Sequence, residues 1–263
     1  MPTGYAKRNM PAFDSSRVIF STHGIQHLHH LGDFYNELYT RKPEQVFSIK
    51  IDAEICTSVG VGPVMINANQ VRYGSTPPIM LDIKLGDIPR VVAMAAKALG
   101  DVHQPVAFTV NPSSGVKSLK AAVENRGDCK VVVATVNTSL SDEDCLRIYS
   151  RTRAQQVRIF AEMAAEAGAD AIIVGGWECG TVKDLPLEIY GAGIRPHWYG
   201  DTGDNTQTVT PTEAVAGGAN KIIIGGPVLL PPPPYTRREA ALMIIKEVND
   251  ATNQLRKHQL VQV

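Results

Sequence analysis

The sequence predicts a (β/α)8 barrel on three observations. Short β-branched runs alternate with helix-patterned stretches along the whole chain, as parallel βαβ units do. The units number eight and recur at roughly thirty-residue intervals, the signature of the barrel. The residues able to do chemistry fall at the C-terminal ends of the runs, where barrels carry their sites. A doubly wound open sheet is the alternative. No Gly-x-Gly-x-x-Gly turn follows the first strand, which weakens its dinucleotide-binding form.

Arg17–Ser21 is the first strand, and 25–39 reads as a helix. Val46–Ile51 is the second strand, with Lys50 near its end. Residues 56–71 carry a helix whose start Gly60, Gly62 and Pro63 make irregular. Ile79–Ile83 is the third strand, followed by the helix Pro89–Leu99. Val106–Val110 is the fourth, ending at Asn111-Pro112-Ser113-Ser114-Gly115, with a helix over 116–125. The unbroken run Lys130–Val136 is a strand buried on both faces. A polar segment, 137–144, leads to a long helix through Gln155–Ala167. Ala171–Val174 is the sixth strand and Leu187–Tyr190 a weak seventh. A glycine-rich loop, 191–207, follows. Thr210 with Glu213 three positions on marks a helix start. Lys221–Ile224 is the eighth strand, Pro231–Pro234 a stiff extended spacer, and Thr236–Leu255 the closing helix.

The 263 residues are 44% hydrophobic and carry no net charge. That suits one barrel domain over 15–263, preceded by an arm over 1–14 that lacks the apolar core of a signal peptide. Neutral charge gives no reason to expect nucleic acid or an anionic membrane, and no apolar run approaches a membrane span. Cys56, Cys129, Cys145 and Cys179 are scattered, so a reducing cytoplasm is expected. His23, His27, His29 and His30 lack an accompanying carboxylate or cysteine ligand set. No metal is expected, and a surface or capping role fits them better.

The chain is organised around Met80-Leu81-Asp82-Ile83-Lys84-Leu85-Gly86-Asp87-Ile88-Pro89. Residues two apart on a strand share a face, so Asp82 and Lys84 project together. Two readings stay open for these residues alone: a structural ion pair with Asp87 as a helix cap, or an active site. Lys50, Asp82, Lys84, Ser139 and Gly225 all fall at strand ends, which favours the site.

The pattern Asp82-x-Lys84-x-x-Asp87-Ile88-Pro89 resembles the signature of orotidine 5′-phosphate decarboxylases. So do Ser48-Ile49-Lys50-Ile51-Asp52-Ala53-Glu54, Val136-Asn137-Thr138-Ser139-Leu140, Gly193-Ile194-Arg195-Pro196 and Ile224-Gly225-Gly226-Pro227-Val228. The resemblance implies a cofactor-free homodimer whose catalytic array is Lys50, Asp82, Lys84 and, from across the interface, Asp87. Lys84 would stabilise and protonate a carbanion, Asp82 would crowd the departing carboxylate, and Lys50 would orient Asp82. Ser139 would contact the pyrimidine.

The departures from that family are informative. Gly225-Gly226-Pro227 stands where the family has Gly-Arg-Pro, so the arginine clamp on a phosphate is missing. Asp204-Asn205-Thr206-Gln207 replaces a loop that supplies a glutamine. Phe20-Ser21-Thr22-His23 replaces a strand end carrying a ribose-binding aspartate. Thr22, His23, Arg195, Asn205, Gly225 and Gly226 are the expected substrate contacts, with Arg195, Arg237 or Arg238 as substitutes for the clamp. A related carboxylated heterocycle, nucleoside or nucleotide is therefore the expected substrate. Competing readings are a related lyase, aldolase or isomerase using the same array, and a non-catalytic binding barrel. Trp198 and Tyr199 read equally as a lid or as loop packing. Glu178 reads as a solvated loop charge before a site carboxylate, and Cys145 and Cys179 as bystanders.

Overall fold

The computed structural model describes residues 15–38, 47–69, 77–201, 203–205 and 207–261. Among them, eight parallel strands close into a barrel in sequence order. The elements run β1 (Val18–Ser21), α1 (Leu28–Leu38), β2 (Ser48–Asp52), α2 (Ala53–Val59), α3 (Val61–Asn69), β3 (Ile79–Leu85) and α4 (Pro89–Ala98). They continue with β4 (Ala107–Val110), α5 (Val116–Glu124), β5 (Lys130–Ala134), α6 (Asp142–Tyr149), α7 (Arg153–Ala167), β6 (Ala171–Gly175) and β7 (Glu188–Ala192). The last are α8 (Pro211–Ala216), β8 (Lys221–Ile224), α9 (Gly226–Leu229) and α10 (Arg237–Val261).

The strands are buried on both faces, which explains their near-continuous apolar sequences. The outward faces meet the helices in one large core that includes Phe20, Ile49, Leu81, Phe108 and Val133. The inward faces form a separate plug of Ile19, Met80, Ala107, Val132, Ala171, Tyr190 and Ile223. Side chains two positions on share each strand's face. Above the plug the barrel interior therefore carries Ser21, Asp82, Thr109, Ala134, Ile173 and Ala192. On the β1–β4 side the interior changes from apolar to polar within one layer, while Ala134, Ile173 and Ala192 keep the β5–β7 side apolar.

Several expectations need correction. The helix expected over 56–71 is two helices, broken where Gly60 adopts φ +87°. A further helix, α6, begins inside the polar segment 137–144, started by a reciprocal cap between Ser141 and Asp144. The run 231–234 is not extended throughout: Tyr235 N–H donates to the Pro232 carbonyl at 3.1 Å and closes a turn. The Thr210–Glu213 cap forms as the spacing predicts. The N-terminal arm and Val46 lie outside the described residues. Among the described residues, no helix is long and apolar enough to cross a membrane.

Candidate active site

A cavity of about 780 Å³ opens at the C-terminal ends of the strands. Its floor is a chain of charges. Lys50 Nζ donates to Asp82 Oδ2 at 2.6 Å and forms a still closer ion pair with Asp52. Lys84 Nζ donates to Asp82 Oδ1 at 2.9 Å. Thr109 Oγ1 donates to that same oxygen at 2.8 Å and accepts the Lys84 backbone N–H at 2.8 Å. Ser21 Oγ donates to Asp52 Oδ2 at 2.8 Å.

Lys84 reaches this place through an unusual backbone. Its φ is +46°, in the left-handed region, and the β3–β4 register shifts between Leu81 and Leu85. A non-glycine residue held there costs of order 1–3 kcal/mol and persists where its surroundings dictate it. The Thr109 contact holds the Lys84 amide, so one side chain fixes both Asp82 and the distorted strand.

Asp82 is 5% exposed. Burial opposes its charge, but Lys50 and Lys84 outweigh burial and hold the carboxyl below the ordinary carboxylate range. Burial likewise opposes the Lys50 ammonium, and Asp82 and Asp52 outweigh it, raising its pKa. Lys84 is the outermost member, with its side chain 42% exposed. Of the cluster's charged groups, it is the one that incoming solute reaches most readily.

His23, Ser139, Arg195, Asn205, Gly225 and Gly226 all line the cavity. Thr22 does not, and this is a correction: it is fully buried with an unpaired hydroxyl. Strand alternation turns Ser21 inward and so carries Thr22 away from the cavity. Asp87 is exposed, outside the cavity of its own chain, and accepts the Ile88 N–H at 2.6 Å. Arg238 is exposed and apart from the cavity lining, whereas Arg237 lines it and pairs with Glu37 at 3.3 Å.

At the β7–β8 side, Arg195 donates to the carbonyls of Ile194 and Asp201, both at 2.9 Å. Its guanidinium lies 5.7 Å from the Tyr199 ring centroid. Tyr199 reaches the turn after β8, where a Cβ on Gly226 would stand 3.0 Å from its hydroxyl. Asp201 and Asp204 line the same end. Trp198 does not line the cavity; it packs edge-on against Tyr199 and Tyr235.

Glu178 is neither solvated nor a cavity carboxylate. It is 4% exposed and takes Arg153 at two points, 2.9 and 3.0 Å. Arg153 also donates to the carbonyls of Val136, Asn137 and Leu140. The pair therefore ties the loop bearing Ser139 to the end of β6. Cys145 and Cys179 are fully buried, and burial followed by Glu178 pushes the Cys179 thiol up to about 12. Among the described residues, no group of three or more His, Cys, Asp or Glu side chains is arranged to hold a metal ion.

Ser21, Asp52, Thr109 and Arg153 were missed in the sequence. For Ser21, Asp52 and Thr109 a signal existed: each is a polar residue two positions beyond an inward-facing residue of its strand. For Arg153 none did, because its partners lie in two separate segments, 136–140 and 178.

A family model described as "Orotidine 5′-phosphate decarboxylase / HUMPS family" matches residues 30–241. The orotidine 5′-phosphate decarboxylase of Thermobifida fusca is 32% identical over 184 residues, covering 68% of this chain and 76% of that protein. That of Sphingopyxis alaskensis is 38% identical over 152 residues, covering 56% and 67%. The crystal structure of the Lactobacillus acidophilus orotidine 5′-phosphate decarboxylase matches with a TM-score of 0.71 at 27% identity, covering 88% of this chain and 98% of that one. The barrel and these relatives define a carboxy-lyase of the orotidine 5′-phosphate decarboxylase type. The chain belongs to the orotidine 5′-phosphate decarboxylase / HUMPS family.

Proposed function

We propose that the chain removes carbon dioxide from a carboxylated pyrimidine nucleoside, or a nucleotide or related heterocycle, using Lys84 as the acid. One observation carries the reading: Lys50, Asp82 and Lys84 form a continuous ion-pair chain on the floor of a cavity at the barrel mouth. The bond from the ring to its carboxylate breaks and carbon dioxide leaves. The electron pair stays on the ring carbon and then takes a proton from the Lys84 ammonium. A fixed cation beside that carbon favours the transition state more than the ground state. Asp82 beside the leaving group adds repulsion that departure relieves. In this reading Ser139, which lines the cavity, contacts the pyrimidine ring. No cofactor is needed in this scheme.

Distal recognition differs from that of a monophosphate site. Gly226 offers no side chain, Tyr199 stands over the turn, and Asp201 and Asp204 line the region. Carboxylates near a dianion repel it, so the reading favours orotidine, or a relative without a phosphate at that position, over orotidine 5′-phosphate. Arg195 is the cation placed to meet a less charged group there.

The reading also includes a homodimer in which the partner subunit's Asp87 completes the array. Asp87 stands outside its own cavity, next to exposed Ile88, Val91 and Met94. These three recur every third residue, so they form one apolar stripe at the start of α4. The test is carbon dioxide release from orotidine and from orotidine 5′-phosphate, with Lys84→Ala as control. Faster turnover of the nucleoside supports the reading. Turnover of the monophosphate at ordinary decarboxylase rates would refute the remodelled distal end.

A further inference from the structure

Asp52 begins α2, where an aspartate ordinarily accepts a backbone N–H and caps the helix. Its backbone is suitably extended, φ −81° and ψ 161°, yet its side chain makes no capping bond. The carboxylate turns instead into the barrel, where it is 8% exposed and lines the cavity. One oxygen takes Lys50 and the other takes Ser21. A carboxylate drawn out of water, and away from the local bond open to it, needs a compensating role.

That role follows from counting donors and acceptors. An ammonium has three N–H protons. Lys50 commits one to Asp52 and one to Asp82, leaving one for the cavity. Asp82 Oδ2 takes Lys50, so Oδ1 is left to Lys84 and Thr109. From Asp52 through Lys50 and Asp82 to Lys84 the charges alternate and cancel. Without Asp52, two ammonium groups would share one buried carboxylate, and Lys50 would be drawn onto Asp82 in competition with Lys84.

We propose that Asp52 is a positioning residue for the reaction, holding Lys50 midway between β2 and β3 so that Asp82 keeps an oxygen for Lys84. The inference rests on the reading of Lys50, Asp82 and Lys84 as the catalytic array and adds a member from this chain's own second strand. Ser21 on β1 anchors the far oxygen of Asp52. The charged groups around Lys50 are Asp52 on its own strand, then Asp82 and Lys84 on β3. From β1 comes only neutral Ser21, and from α2 the Cys56 thiol lies near Asp52. At the rim, His23 faces Glu54 at 3.8 Å.

The experiment compares wild type, Asp52→Asn, Asp52→Glu and Lys84→Ala as full-length protein. Carbon dioxide release is followed from orotidine and orotidine 5′-phosphate. In parallel, acetylation of Lys50 by acetic anhydride is followed by peptide mass spectrometry between pH 7 and about 11. Turnover surviving Lys84→Ala would sink the array itself. With Lys84→Ala inactive, Asp52→Asn should lower kcat about tenfold, change KM little, and move the alkaline limb to lower pH. Asp52→Glu, which keeps the charge, should recover part of the loss. Lys50 acetylation should set in at lower pH in Asp52→Asn whichever substrate the enzyme takes, because a counter-charge is gone. An Asp52→Asn protein with wild-type kcat, or with an unshifted acetylation profile, would overturn the proposal while leaving the array standing.

Discussion

Lys84 meets Asp82 at 2.9 Å from a backbone held at φ +46°. An ordinary strand residue at this position would satisfy local geometry better. The contact and the distortion occur at the same residue, on the floor of the cavity, as expected where strain is retained for function.

The first prediction uses that strain. Glycine tolerates positive φ and alanine does not. Lys84→Gly should therefore be about 1 kcal/mol more stable than Lys84→Ala in urea unfolding. Both should be inactive. Equal stability of the two would mean that the bulge carries no strain.

The second concerns acid. Asp82 is held below its ordinary value in the folded protein because Lys50 and Lys84 outweigh burial. A depressed carboxyl contributes stability that is complete above its unfolded pKa, about 3.9. That stability is lost as pH falls from there toward the folded value. Wild type should lose stability faster than Asp82→Asn below about pH 4. Parallel acid-unfolding curves would contradict the assignment.

The third concerns the strut beneath the Ser139 loop. Removing one partner of a buried ion pair costs about 3–5 kcal/mol. Arg153→Ala should lower the melting temperature by about 10 °C. Arg153→Lys keeps the charge without the fork, so it should raise KM more than it lowers kcat as the loop loosens. A KM unchanged in Arg153→Lys would separate the strut from substrate binding.

The barrel itself was legible because its evidence is local: β-branched runs, caps and spacing. Lys50, Asp82 and Lys84 were legible because they lie at strand ends. Three kinds of feature were hidden. Thr22 stands in the sequence as a contact where Ser21 is the inward residue, because one position decides which face a residue takes and the apolar sequence does not fix the strand's inward phase. Asp52 reads in the sequence only as part of the second-strand motif, and its inward turn in place of a helix-capping bond shows in the structure alone. Glu178 looked solvated because its partner, Arg153, stands 25 positions away.

The fourth prediction tests the distal end. A bidentate arginine contact with phosphate contributes roughly 1.5–3 kcal/mol. Gly226→Arg should improve KM for orotidine 5′-phosphate about tenfold or more when combined with Tyr199→Ala, and less by itself, since the Tyr199 hydroxyl crowds a side chain at 226. Full improvement from Gly226→Arg by itself would show that Tyr199 does not guard the turn.

The fifth tests the shared site. Lys84→Ala and Asp87→Ala should each be inactive as homodimers. If the chain pairs as proposed, mixing and re-equilibration should give heterodimers with one intact site, and turnover should return. Silence after mixing, with heterodimers verified by mass spectrometry, would count against Asp87 acting across the interface.

The account stands or falls on the Lys84 ammonium beside the carbon that loses its carboxylate. Carbon dioxide release from orotidine, measured in a single turnover for wild type and Lys84→Ala, tests this most directly. The account predicts stoichiometric release by wild type and a rate at least about a thousandfold lower for Lys84→Ala. Release by Lys84→Ala at the wild-type rate would contradict it.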